Sequence, residues 1–211
     1  GWYDGDTKVC DTAEFVVTNV TANKTYTAKF TEKTVVVSKL FNTEYYGTLL
    51  NKIKYDGVTD VKEDEITAVH FVDLADYDLT NIPYSDYSAS GDGGVKAWMD
   101  GTELYIGGYG KIIAGSSLVY AFRTGEQINN ITGLEMLDTS NVTDTSFMFY
   151  ACGLNSKVFT LDLGDKFDTS KVTDMSYMFY YCGCYCDAFT LDLGTNFDTS
   201  KVNNMAWMFF R

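Results

Sequence analysis

From residue 137 onward, apolar and polar positions alternate in a pattern that returns at a fixed step of 30 residues. Leu137-Asp138-Thr139-Ser140-Asn141-Val142-Thr143-Asp144 comes back as Phe167-Asp168-Thr169-Ser170-Lys171-Val172-Thr173-Asp174, and again as Phe197-Asp198-Thr199-Ser200-Lys201-Val202-Asn203-Asn204. Met148, Met178 and Met208 keep the register, as do Phe149, Phe179 and Phe209, and Cys152 and Cys182. Inside each unit two patterns can be read. Phe159, Leu161 and Leu163 alternate with Thr160 and Asp162, and the same order recurs from Phe189 to Leu193, which predicts a strand with its apolar set inward. Val172, Met175, Met178 and Phe179 are spaced by three, three and one, which predicts a short helical turn against the same core. Asp168, Thr169 and Ser170 lie between, where short polar side chains bond nearby backbone and cap turns. A unit this short cannot bury its own apolar side, so it must stack on its neighbours as one coil of a solenoid.

The first half of the chain is less regular. Thr25–Phe30 alternates like a strand, with Tyr26, Ala28 and Phe30 on one face. Val35 to Ile53 predicts a strand and then a helix, and Ile66 to Val72 a strand. Tyr77 to Gly94, rich in Ser, Asp, Gly and Tyr, predicts an exposed loop. Val95 to Ile106 predicts a hairpin across Asp100-Gly101, followed by a Gly-rich turn at 107–110 and the apolar pair Ile112-Ile113. The physical task of such a region is to cover the open end of a solenoid, which would otherwise expose core and strand edges.

The run F-D-T-S-K-V-T-D-M-S-Y-M-F-Y-Y-C resembles the repeat of BspA-like leucine-rich surface proteins, also known as a mycoplasma-type surface-protein repeat domain, over residues 116–211. Extra residues around Asn155–Val158 and Cys184–Ala188 depart from the shorter, commoner repeat. Gly1 to Phe30 resembles the tail of a Listeria–Bacteroides type repeat, a small β-rich module. These resemblances imply an extracellular protein, on the bacterial cell surface or secreted, with a role in adhesion to a host or matrix protein or glycan. They imply no catalytic residue.

Composition narrows this further. Sixteen basic against 29 acidic residues give a net charge of −13, which repels phosphate backbones and anionic lipid and argues against nucleic acid as a partner. No apolar run approaches the ~18 residues of a membrane span, so no membrane insertion is expected of this stretch. His70 is the one histidine; inside a predicted strand it reads as a structural side chain, and no nucleophile signature accompanies it. Gly110-Lys111 lacks the Gly and the Ser or Thr that a phosphate-binding loop requires, since Tyr105 and Ile112 stand in those places. Cys182-Gly183-Cys184-Tyr185-Cys186 has no second ligand pair for zinc, and the period aligns Cys184 with Leu154, a core position. Cys152 and Cys182 are expected as reduced thiols, because equivalent side chains on neighbouring coils point in parallel. Glu63-Asp64-Glu65 and Asp73/Asp76/Asp78 fit no calcium-loop spacing and read as solvated faces.

The reading is an α+β solenoid: leucine-rich-repeat-like coils of about 30 residues, capped by a mixed β-rich N-terminal region. Its parts are a partial β repeat (1–33), a mixed α/β cap (34–115) and the solenoid (116–211). The function expected is binding without catalysis, with neither metal nor cofactor. The outward strand residues Thr160, Asp162, Thr190 and Asp192 are the candidate surface, and Tyr84 and Tyr87 of the Tyr-rich loop are the second candidate. A passive spacer and an accessory region of a carbohydrate-active enzyme are the alternatives.

Overall fold

A computed structural model describes residues 2–4, 6–10, 26–28, 39–40, 49–50 and 61–211. The chain divides into two units, Gly1–Val35 and Val36–Arg211. In the first, β1 (Trp2–Asp4) lies between β2 (Thr7–Cys10) and β3 (Tyr26–Ala28), antiparallel to both. Of the predicted Thr25–Phe30 strand, Tyr26–Ala28 are seen as β3; Thr25, Lys29 and Phe30 lie outside the described residues.

The second unit is a β-solenoid of about four turns. Its largest sheet takes strands from both the cap and the repeats. β4 (Ala68–Asp73), β7 (Glu103–Gly108), β9 (Asn130–Thr132), β11 (Val158–Asp162) and β12 (Ala188–Asp192) run parallel, and β6 (Val95–Asp100) and β5 (Ser85–Asp86) add an antiparallel edge. The order across the sheet is β12-β11-β9-β4-β7-β6-β5. A smaller parallel pair, β8 (Ile112–Ile113) with β10 (Leu137–Asp138), lies on another flank of the coil. The hairpin predicted at Asp100-Gly101 is the β6–β7 turn, where Asp100 faces Glu103 and Gly101 supplies φ +58.

The repeat units meet through three stretches each. In the first, β11 and β12 pair in register, with Val158, Thr160 and Asp162 beside Ala188, Thr190 and Asp192. Phe159, Leu161 and Leu163 point into the core and are buried. Each Cβ-free Gly153 and Gly183 sits under a phenyl ring: a side-chain carbon would come within 2.4 Å of Phe159 and 2.7 Å of Phe189. Both glycines also take φ above +60.

The second stretch is the Asp-Thr-Ser motif. Asp138, Asp168 and Asp198 accept the amides of Ser140, Ser170 and Ser200 at 2.8–3.0 Å, as the sequence predicts of short polar caps. The threonine does something else. Buried Thr139 donates its hydroxyl to the Asp168 carbonyl (2.9 Å) and accepts the Asp168 amide (2.8 Å). Buried Thr169 does the same to Asp198, at 2.8 and 2.7 Å. A side chain here takes the place of a backbone ladder between coils.

The third stretch was expected to be helical, and it is not. No α-helix occurs among the described residues; the helical elements are 3-10 turns such as Glu63–Glu65 and Leu74–Asp76. From Met175 to Cys182 every second amide leaves the coil: Met175, Tyr177, Phe179 and Tyr181 donate to the carbonyls of Asn204, Ala206, Met208 and Phe210. The alternate amides of Met178, Tyr180 and Cys182 close tight turns on the residue three before. Amides spent on the next coil cannot make the i to i−4 bonds of a helix. Left-handed residues, Tyr177 (φ 57) and Tyr181 (φ 56), break the helical backbone as well, and Phe147, Ala151 and Trp207 repeat this in the other coils.

What repays these turns is stacking. Phe122, Phe149, Phe179 and Phe209 form one ladder, with ring centroids 5.2–5.5 Å apart and planes within 8°. Tyr150, Tyr180 and Phe210 form a second. Each such contact adds about 0.5–1.5 kcal/mol beyond burial.

The strand and helix expected over Val35–Ile53 lie mostly outside the described residues. Of that stretch, Lys39 bridges Ile113, Leu40 bridges Ser88, and Leu40, Leu49 and Leu50 are buried. The predicted exposed loop of 77–94 is partly internal: it contributes β5 and the buried Tyr87 and Ser88.

Candidate functional site

The outer face of the large sheet carries the repeated outward residues. Thr160, Asp162, Thr190 and Asp192 are all exposed, in two columns set by the β11–β12 register. Successive strands are about 4.8 Å apart, so the columns are evenly spaced. Asn130 of β9 continues the threonine column, opposite Thr160 and also opposite Ala68 of β4. Next to it Thr132 continues toward His70, Tyr105 and Trp98 across β4, β7 and β6.

The two columns are not equivalent. Asp162 accepts the Gly164 amide at 2.8 Å and Asp192 the Gly194 amide at 2.9 Å, where each glycine turns the chain at φ near +70. These carboxylates therefore end their strands as well as charging the surface. Thr160 and Thr190 do no such work: both are exposed, and neither hydroxyl bonds to another group among the described residues. Beside them a groove of about 670 Å³ opens along Gln127, Asn129, Asn130, Thr132, Lys157 and Thr160. The Oδ1 of Asn130, one of its lining residues, is buried and has no hydrogen-bond partner among the described residues.

His70 is engaged on both sides. Its Nδ1 lies 2.7 Å from Thr132 Oγ1 and its Nε2 3.2 Å from Glu103 Oε2, while its ring packs 4.7 Å from Tyr105. Burial and the Glu103 carboxylate both push the Tyr105 phenol upward.

Of the two loop tyrosines, one must be withdrawn from the surface. Tyr87 is 0% exposed and its hydroxyl donates to the Leu49 carbonyl at 2.6 Å. Burial pushes that phenol far above its ordinary value, so it stays a neutral core donor. A Tyr two residues after β5 begins alternates inward, which the loop composition concealed. Tyr84 is 42% exposed and lies at a pocket with Tyr77 and Tyr109, neither of which stood out in the sequence. The acidic cluster around it is used locally: Asp73 accepts the Ala75 amide and Asp78 the amide and hydroxyl of Thr80. That pairing with Thr80 holds the Asp78 carboxyl below its ordinary range.

Cys152, Cys182, Cys184 and Cys186 are free thiols. Cys152 and Cys182 are buried as expected; Cys184, expected in the core, is only half-buried, as is its counterpart Leu154 one coil earlier, so this position of the coil faces partly outward. Half-buried Cys186 donates to the Gly153 carbonyl at 3.0 Å. No group of three or more His, Cys, Asp or Glu among the described residues comes together in a way that could hold a metal ion. Nor is any helix among them long and apolar enough to cross a membrane.

The arrangement is that of a repeat solenoid with an evenly ruled polar face. Residues 116–211 match the family model described as a Mycoplasma protein of unknown function, DUF285. No curated protein and no solved structure matches the chain.

Proposed function

We propose that this chain is a non-enzymatic binding module of a bacterial surface or secreted protein, and that its partner is a protein or glycan taken up on the outer face of the large sheet. One observation carries the reading. The Thr160 and Thr190 hydroxyls stand at coil spacing on a rigid face and serve no internal bond, whereas the repeated aspartates and buried threonines all serve the fold. A flat, regular row of unspent hydroxyls next to a groove of amides is suited to recognition. The surface location and the adhesive role rest on the motif resemblance to BspA-like leucine-rich surface proteins; the family matched over 116–211 is itself of unknown function. Asp162 and Asp192 make the face acidic, so the partner carries basic or hydroxyl-rich groups and binding weakens with salt.

The test is a screen of the purified chain against extracellular-matrix proteins and glycans, followed by two double variants. Thr160→Ala with Thr190→Ala removes the free hydroxyls. Asp162→Asn with Asp192→Asn removes the charge and leaves an oxygen to accept the glycine amides. Both should lower affinity for the partner found and leave the melting curve nearly unchanged. A partner that binds both double variants at full strength moves the site off this face, and a screen without any saturable partner favours a passive spacer.

A further inference from the structure

A second site lies on the cap, away from the repeats. The stretch after β4 and residues of β6 and just past β7 line an open, shallow pocket of about 440 Å³, within the volume range of small-ligand sites. Its walls include Tyr77, Asp78, Thr80, Tyr84, Lys96 and Tyr109. Three tyrosines, 38%, 42% and 46% exposed, thus gather in one place on a strongly acidic chain.

The rings are held by the fold before any ligand arrives. Tyr77 packs edge-on at 5.2 Å against Trp98, which is 2% exposed and stacked on Tyr105 at 5.4 Å. Tyr84 is covered on one face by the Lys96 ammonium, 4.2 Å from the ring centroid. Asp78 is tied through Oδ1 to the amide and hydroxyl of Thr80, at 3.0 and 2.5 Å, which leaves Oδ2 as an acceptor.

This furniture selects by charge and shape. A cage of tyrosines with a carboxylate would suit a quaternary ammonium, but here Lys96 already holds the cation place over Tyr84 and repels a second one. Asp78 in turn repels an anion. What remains is a neutral ligand with an apolar face for the rings and a rim of hydroxyls. Those hydroxyls would meet an acceptor at Asp78 and a donor at Lys96. We infer that the Tyr77–Tyr84–Tyr109 pocket binds a neutral pyranose unit of a glycan. It is separate from the threonine face of the repeats and stands or falls without it.

The experiment titrates the full chain with methyl glycosides of glucose, galactose, mannose and N-acetylglucosamine and with their common disaccharides, and uses choline as the cationic counter-probe. Calorimetry or ligand-observed NMR reads binding, and the part of the tryptophan emission change that Trp98→Phe removes reads contact at the pocket, since Tyr77 lies against that indole. At least one neutral saccharide should saturate the protein and shift the emission, while choline does not. Tyr84→Ala should weaken that binding about tenfold or more, as truncation of an aromatic anchor does. Asp78→Asn should weaken it too while keeping the Thr80 turn, and it decides the matter if Tyr84→Ala fails to fold. Thr190→Ala should leave it unchanged. Failure of every saccharide to saturate, choline binding as tightly as a sugar, or full binding by a folded Asp78→Asn variant would each overturn the assignment.

Discussion

Replacing Thr139 by Val tests how the coils are joined. Thr139 is 1% exposed, and its hydroxyl is at once the donor to the Asp168 carbonyl and the acceptor for the Asp168 amide. Val has nearly the same shape, so packing is kept and only the two bonds go. Each neutral bond contributes about 0.5–1.5 kcal/mol net, and a buried group left without a partner costs about 1–3 kcal/mol. Thr139→Val should therefore lower stability by about 2–4 kcal/mol. Thr139→Ser keeps the hydroxyl and loses one methyl, a cost of about 0.8 kcal/mol. The internal control is Thr143, whose hydroxyl donates to the Ser116 carbonyl at 3.1 Å; that carbonyl also accepts the Thr143 amide at 2.8 Å and stays satisfied. Thr143→Val should cost less than about 0.5 kcal/mol. Urea melts followed by far-UV dichroism would rank the three variants. Equal losses for Thr139→Val and Thr139→Ser would refute the cross-coil role of the hydroxyl.

Three further outcomes follow from the same geometry. Leu161→Ala, in an interior coil with the side chain fully buried, should cost about 2–5 kcal/mol in denaturant melts, whereas Leu191→Ala in the last coil should cost clearly less, and exposed Thr190→Ala within about 0.5; an equal loss at both leucines would mean that the last coil is covered in solution. Asp138 is held below its ordinary carboxyl range by the Ser140 hydroxyl and amide; Asp174 is too, although partial burial opposes it, because the Ser176 hydroxyl and amide and the Asn204 side chain outweigh that burial. A depressed carboxyl stabilises the fold above its unfolded value, 3.8, and that stability is lost as pH falls through the folded value, so melting temperature should drop on acidification below about pH 4. Asp138→Asn with Asp174→Asn should blunt that drop. Burial pushes the Cys152 thiol upward, helped by Cys182 and Cys186, and does the same to Cys182; neither should react with a thiol reagent at neutral pH until urea opens the coils, while half-buried Cys184 labels before either. Fast labelling of Cys152 and Cys182 in the folded protein would contradict the burial.

Much of the solenoid is legible along the chain because each coil repeats the same local rules. Strand alternation at Phe159–Leu163 and the Asp-Ser caps are local facts, decided within a few residues. The 30-residue step sets which residues meet in adjacent coils, so the Thr160–Thr190 column could be named in advance. The turn stretch could not be read locally, for want of a neighbour. Val172 to Phe179 has a spacing that suits a helix, yet the next coil claims its alternate amides, and the chain turns in tight steps with Tyr177 left-handed. Asp162 and Asp192 read as free surface charge, but each closes a glycine turn two residues on, a local bond of the same kind as the Asp-Ser caps.

The loop tyrosines show the same division. Tyr84 and Tyr87 are equivalent in composition, and only the pairing of β5 with β6 sends one outward and the other to the Leu49 carbonyl. The sequence by itself determined the repeat, its strand, its caps and its core positions, because those depend on periodicity and short-range bonding. The tertiary structure alone decided which amides and hydroxyls bond across coils. It also decided which tyrosines gather around a pocket, since both depend on groups far apart in the chain competing for the same partners.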